Sequence, residues 1–133
     1  MQDIRITTNS HEFFFVCDTR NTTNGFAHDC SLFIYNIIDN KGYDGLWIKA
    51  HCYYLNRTWE CWQYQSVCIK AIDLEISDFY ERTKTTFKSV HNYKKMTQKR
   101  LTEFNDELKN NTVFNTYLTD LKACKEKLLH NLY

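Results

Sequence analysis

The spacing of apolar residues changes near residue 58, and this change constrains the fold more than any other feature of the chain. Before it, apolar and aromatic residues alternate with polar ones or form runs of strand length: Ile4-Arg5-Ile6, Phe13-Phe14-Phe15-Val16-Cys17, Ser31 to Ile38, and Leu46 to Leu55. β-Branched and aromatic side chains suit a pleated, half-buried surface, and a period of two puts alternate residues on one face. The separators are Thr8-Asn9-Ser10, the stretch from Thr19 to Asp29, and the stretch from Asp39 to Gly45. Parallel strands need a long crossover, so spacings this short predict antiparallel hairpins.

Beyond residue 58 the period becomes helical. Ile69, Ile72, Ile76 and Phe79 form one stripe, and Tyr64, Cys68, Ala71 and Leu74 lie beside it. An apolar arc this wide predicts a central helix, with a sheet on one side and other helices on the other. Tyr93, Leu101, Phe104 and Leu108 keep helical spacing, and Phe114, Tyr117, Leu118, Leu121, Cys124, Leu128 and Leu132 follow one face of a last helix. Asn111 or Thr112 can cap that helix by accepting a bond from a free backbone N–H. Ser89 to Asn92 is the expected break between the first two helices, although the pattern also allows one long helix. The predicted fold is α+β: a three- or four-stranded antiparallel sheet followed by two or three C-terminal helices packed on it. Residues 1–133 form one domain, with 1–58 mainly strands and 59–133 mainly helices.

Composition narrows the class. With 3 Gly and 0 Pro, tight turns must come mostly from Asn and Asp. Hydrophobic residues at 43% and charged residues at 25% match ordinary globular usage, so extended disorder is not expected. No apolar run reaches the roughly 20 residues that span a bilayer, and the first ten residues lack the pattern of a signal peptide. A cytoplasmic protein without membrane contact is the expectation. The six cysteines, Cys17, Cys30, Cys52, Cys61, Cys68 and Cys124, include no C-x-x-C pair. They are read as free, small apolar residues. A zinc set of His28, Cys30, His51 and Cys52 is the sharper alternative. It is disfavoured because adjacent residues such as His51 and Cys52 point to opposite faces of a regular strand. The expectation is therefore no metal and no cofactor.

The stretch from Tyr54 to Val67, YLNRTWECWQYQSV, lies at the change of period. Two local readings compete. Thr58 caps a helix with Glu60 in its first turn, or Thr58 to Gln63 forms a short strand pairing back on Leu46 to Leu55. In either case Trp59, Trp62 and Tyr64 wedge between sheet and helix as a structural joint. Alternatively Trp59, Trp62 and Arg57 face a partner, because Trp, Tyr and Arg dominate interface hot spots. Tyr54-Leu55-Asn56-Arg57-Thr58-Trp59-Glu60, with Tyr64-Gln65-Ser66-Val67 after it and Asn24 to Asp29 before it, resembles a pattern in small accessory proteins of phages, plasmids and prophages of Gram-positive bacteria. The resemblance covers roughly residues 11–75. It implies a mobile-element origin and a bacterial host cytoplasm, and carries over no catalytic residue. Small proteins of this provenance are often inhibitors of host defence, anti-CRISPR proteins among them.

Charge adds a second candidate surface. The chain is nearly neutral at +1, but its signs are segregated. Asp73, Glu75, Asp78 and Glu81 come first; Arg82, Lys84, Lys88, Lys94, Lys95, Lys99 and Arg100 follow with no acidic residue among them. Phe87, His91 and Tyr93 are interleaved. Such a run is either a solvated helix face or a surface for phosphate or an acidic partner. For catalysis, Asp18, Arg20, His28 and Asp29 cluster in and beside the second connection. No nucleophile motif, phosphate loop or metal spacing accompanies them, so an enzyme is not expected. The leading expectation is an accessory protein that acts by binding, most concretely an anti-CRISPR-like inhibitor of a host defence nuclease. Its partner would be a host protein, such as a CRISPR effector or its nucleic-acid complex. The alternative is a nucleic-acid-binding accessory protein using residues 82–100. The candidate binding residues are Trp59, Trp62, Arg57 and Tyr93, with the seven basic residues as a patch.

Overall fold

The computed structural model describes residues 2–22, 25–41, 48–54 and 64–133. Four strands form one sheet in the order of the chain: β1 (Gln2–Thr7), β2 (His11–Thr22), β3 (Gly25–Asn36) and β4 (Ile48–Tyr54). All three pairings are antiparallel. Three helices follow: α1 (Tyr64–Val90), α2 (Gln98–Leu108) and α3 (Thr112–Leu129). The predicted α+β class is the observed one.

Alternation along the strands sends one set of side chains inward. Ile4, Ile6, Phe13, Phe15, Cys17, Cys30, Leu32 and Ile34 are buried on one face of the sheet. They meet Val67, Cys68, Ala71 and Ile72 of α1, and Leu121, Cys124 and Leu128 of α3. Helix α1 lies over β3 and β4, while α3 touches β1 and β2. At 27 residues α1 is about 40 Å long, and only its first half serves this core. Its second half builds a smaller cluster, in which Phe87 meets Phe104 and Leu108 of α2 and Phe114 of α3.

The turns use asparagine, as the scarcity of glycine requires. Asn40, Asn92 and Asn131 are the non-glycine residues with positive φ among those described. Asn92, at φ 57°, ends α1: its N–H donates to the Ser89 carbonyl and that of Tyr93 to the Lys88 carbonyl. This is a Schellman motif, completed by the Phe87 and Tyr93 rings at 6.0 Å. The break therefore falls at the predicted place. Asn131 ends α3 in the same manner, with the Leu132 N–H on the Lys127 carbonyl. Asn111 caps α3 by accepting from the Phe114 N–H at 3.0 Å, as expected of one of the two candidates.

Several expectations need correction. The stretch from Thr19 to Asp29 is not a long connection, because β2 runs to Thr22 and β3 starts at Gly25. Its polar residues sit in paired strands. Ile37 and Ile38 fall outside β3: the Asn36 side chain accepts from the Asp39 N–H at 2.9 Å and turns the chain, leaving Ile38 71% exposed. Leu74 lies at the exposed edge of its stripe, and Leu132 lies beyond the end of α3, exposed. The junction between strands and helices, including Arg57, Thr58, Trp59, Glu60 and Trp62, lies outside the described residues. Among those that are described, no helix is long and apolar enough to cross a membrane.

Candidate functional site

The basic run separates into two parts. Arg82 and Lys84 are tied down within α1: Arg82 donates to Glu75 at 2.9 Å, and Lys84 to Glu81 at 3.0 Å. The other five cluster at the tip of the α1–α2 hairpin. Lys88 is in the last turn of α1, Lys94 and Lys95 follow the Schellman turn, and Lys99 and Arg100 are in the first turn of α2. Lys94, Lys95 and Lys99 are exposed, and none of the five has a carboxylate partner among the described residues.

The frame beneath these charges is held by ring contacts and hydrogen bonds. The Arg100 guanidinium lies 4.1 Å over the Tyr93 ring and donates to the Lys95 carbonyl at 2.8 Å. His91 and Tyr93 stack with ring centroids 5.3 Å apart, and His91 also meets Phe87 at 4.3 Å. The Tyr93 hydroxyl donates to Glu103 at 3.2 Å. Thr97 caps α2 by accepting from the Arg100 N–H at 3.3 Å. Position matters as much as number. The start of a helix is already its positive pole, and cations there are locally disfavoured. Helix α2 nevertheless carries Lys99 and Arg100 in its first turn and no acidic residue. Dipole and side chains therefore add, concentrating positive potential at the tip.

A second polar region lies where the start of β2 meets α1 and α3. Buried His11 and Asp120 are 2.7 Å apart, and the Ser10 N–H donates to the same Asp120 oxygen at 2.9 Å. Nearby, fully buried Glu75 accepts from Arg82 and, at 2.9 Å, from the Tyr117 hydroxyl. Burial pushes the Glu75 carboxyl above its ordinary range, while Arg82 and Tyr117 pull it back. Ser10, His11, Arg82 and Tyr117 border a cleft of about 720 Å³, also lined by Ile38, Phe79 and Val113. The buried carboxylates of Asp120 and Glu75 are each met by side chains from that lining, His11 for the first and Arg82 and Tyr117 for the second. The sequence reading passed over Glu75 and Asp120, although both keep helical register with the apolar stripes around them.

The register splits the described members of the acid–base cluster between the two faces of the sheet. Asp18 opposes Asp29 and Thr19 opposes His28 in the register of β2 and β3. His28 is buried on the core face, bonded through Nδ1 to the Thr19 hydroxyl at 2.8 Å, whereas Asp18 is exposed on the opposite face. Arg20 is described in backbone only. Of the zinc set, β4 pairs Cys52 with His28 and His51 with Asp29, with His51 and Cys52 described in backbone only. What the fold does bring together is Cys17, Cys30 and Cys68, whose sulfurs all lie within 4.8 Å of one another. The Cys30 thiol, and then the Cys68 thiol, bonding to the Cys17 sulfur lower its pKa to about 4. Bonding to Cys17, with burial, raises both Cys30 and Cys68.

Comparison with protein-family models, with curated proteins and with solved structures finds no match to this chain.

Proposed function

We propose that this is a mobile-element accessory protein that works by binding, and that the tip of the α1–α2 hairpin is its contact surface. The most concrete form is an inhibitor of a host defence nuclease of the CRISPR-effector kind. The tip would lie against the acidic or nucleic-acid-bearing surface of the loaded nuclease. The observation that carries this reading is the set Lys88, Lys94, Lys95, Lys99 and Arg100, gathered about one turn with no carboxylate partner among the described residues. Tyr93 supplies a flat ring beneath Arg100, which fits the preference of interfaces for Tyr and Arg. The defence-inhibitor part rests on the resemblance of residues 11–75 to mobile-element proteins.

The test reverses four charges together: Lys94→Glu, Lys95→Glu, Lys99→Glu and Arg100→Glu. The wild type should slow cleavage by the loaded nuclease, while the variant, melting within a few degrees of it, should not. Association should slow more than dissociation speeds up, because peripheral charges act chiefly on the encounter rate. Bare oligonucleotides should bind poorly to both. A second reading, direct nucleic-acid binding by residues 82–100, is favoured by the stacked His91, Tyr93 and Arg100. Tight binding of the wild type to naked DNA or RNA, falling steeply with salt, would establish that reading over the first.

A further inference from the structure

Cys17, Cys30 and Cys68 reach one another from three separate elements, β2, β3 and the first turns of α1. The Cys17 and Cys68 sulfurs are 3.4 Å apart, and all three are fully buried. Buried cysteines often serve only as small apolar residues, and Cys124 does so in the same core. The trio differs in its convergence. Three points no more than 4.8 Å from one another all lie within about 2.8 Å of a common centre, against a zinc–thiolate bond of about 2.3 Å. Thiolates bound tetrahedrally to one zinc would stand about 3.8 Å apart, within the range these sulfurs span. Small side-chain rotations therefore bring all three to bonding distance of a single ion.

We propose that Cys17, Cys30 and Cys68 form a binding site for one thiophilic d10 metal ion, Zn(II) or Cu(I), which pins α1 to the β2–β3 hairpin. Soft thiolates select these ions over hard ones such as magnesium or calcium. Binding forms three metal–sulfur bonds without redox change, and the protons held by the thiols pass to solvent. Zinc is the expected occupant. Three thiolates leave a zinc complex with one negative charge but a Cu(I) complex with two, and burial disfavours the larger charge. The three sulfurs alone form the convergent set; His28, buried on the same face two residues before Cys30, is not among the groups within 4.8 Å of one another. This proposal replaces the sequence expectation of no metal, and it is independent of the binding role assigned to the helical tip.

The experiment reconstitutes the reduced full chain separately with Zn(II) and Cu(I), then counts metal after desalting. About one ion per chain is expected for the wild type and for Cys124→Ser. Cys17→Ser, Cys30→Ser and Cys68→Ser should each bind at least about 10-fold more weakly, since even outer partners of metal ligands cost that much. Should those variants fail to fold, X-ray absorption of the loaded wild type gives the ligands directly, and three sulfurs are expected. Less than about one-fifth of an ion per chain with both metals, full loading of Cys17→Ser, or absorption showing fewer than three sulfurs would overturn the proposal.

Discussion

At the scale of single residues, Glu75 shows how a buried charge is held by partners that do not fully offset its desolvation. Its carboxyl is 0% exposed, and burial is the largest influence on its pKa, ahead of the bonds from Arg82 and Tyr117. The folded pKa thus lies above the ordinary value of 4.5, and the native state holds this proton more tightly than the unfolded state. Its stabilising contribution is full below about pH 4.5 and is lost as pH rises through the raised folded pKa. Glu75→Gln keeps the shape and removes the titration. Relative to Glu75→Gln, the wild type should lose stability as the pH climbs from 4 to 7. At pH 7 the substitution should be neutral within about 1 kcal/mol, or stabilising. Arg82→Met should cost about 1–3 kcal/mol at pH 7, less than a fully buried pair would, because Arg82 is 44% exposed. Urea midpoints at the two pH values decide this, and a Glu75→Gln loss of several kcal/mol at pH 7 would contradict it. The position was legible: Ile72, Glu75 and Phe79 share helical spacing, so a carboxylate in that row had to be buried and partnered.

At the scale of elements, the sequence revealed most where a local rule was sufficient. The α1–α2 break followed from His91-Asn92, because asparagine tolerates the left-handed region that a helix end demands. Asn92→Gly should leave stability unchanged or slightly raised. Asn92→Ala should lose about 1 kcal/mol, since alanine has a side chain to clash and no polar group to compensate. Equal urea midpoints for wild type and Asn92→Ala would count against the Schellman turn. The β2–β3 hairpin was harder to read. Its end is rich in Thr, Asn and Asp, which mimic a loop. Yet Asn24-Gly25 is a hairpin signal, and the pairing of Thr22 with Gly25 continues into the register that places Cys17 opposite Cys30. The polar composition of this hairpin concealed the thiol cluster, because no short spacing links residues 17, 30 and 68. The split of the basic run was equally non-local: Arg82 meets Glu75 two turns away, and the sign of each charge alone could not disclose it.

At the scale of the whole molecule, α1 joins two cores of unequal size. The larger lies between the sheet, the first half of α1 and α3; the smaller holds Phe87, Phe104, Leu108 and Phe114. Opening the smaller one exposes few apolar side chains and breaks no strand pairing, so its local free energy should fall below that of global unfolding. Phe104 is 1% exposed and meets Phe87 at 5.2 Å and Tyr80 at 5.5 Å. Phe104→Ala should remove about 3–5 kcal/mol, enough to exceed the local stability of the hairpin without unfolding the sheet. Leu121→Asp, by contrast, puts a charge into the larger core and should unfold the whole domain. Hydrogen exchange separates the two outcomes. In Phe104→Ala, amides of residues 80–108 should lose protection while those of β2 and β3 keep theirs. The basic tip would lose its frame in the same variant, so binding should weaken although every lysine is retained. Uniform loss of protection across sheet and hairpin would show instead that the two cores fold as one unit.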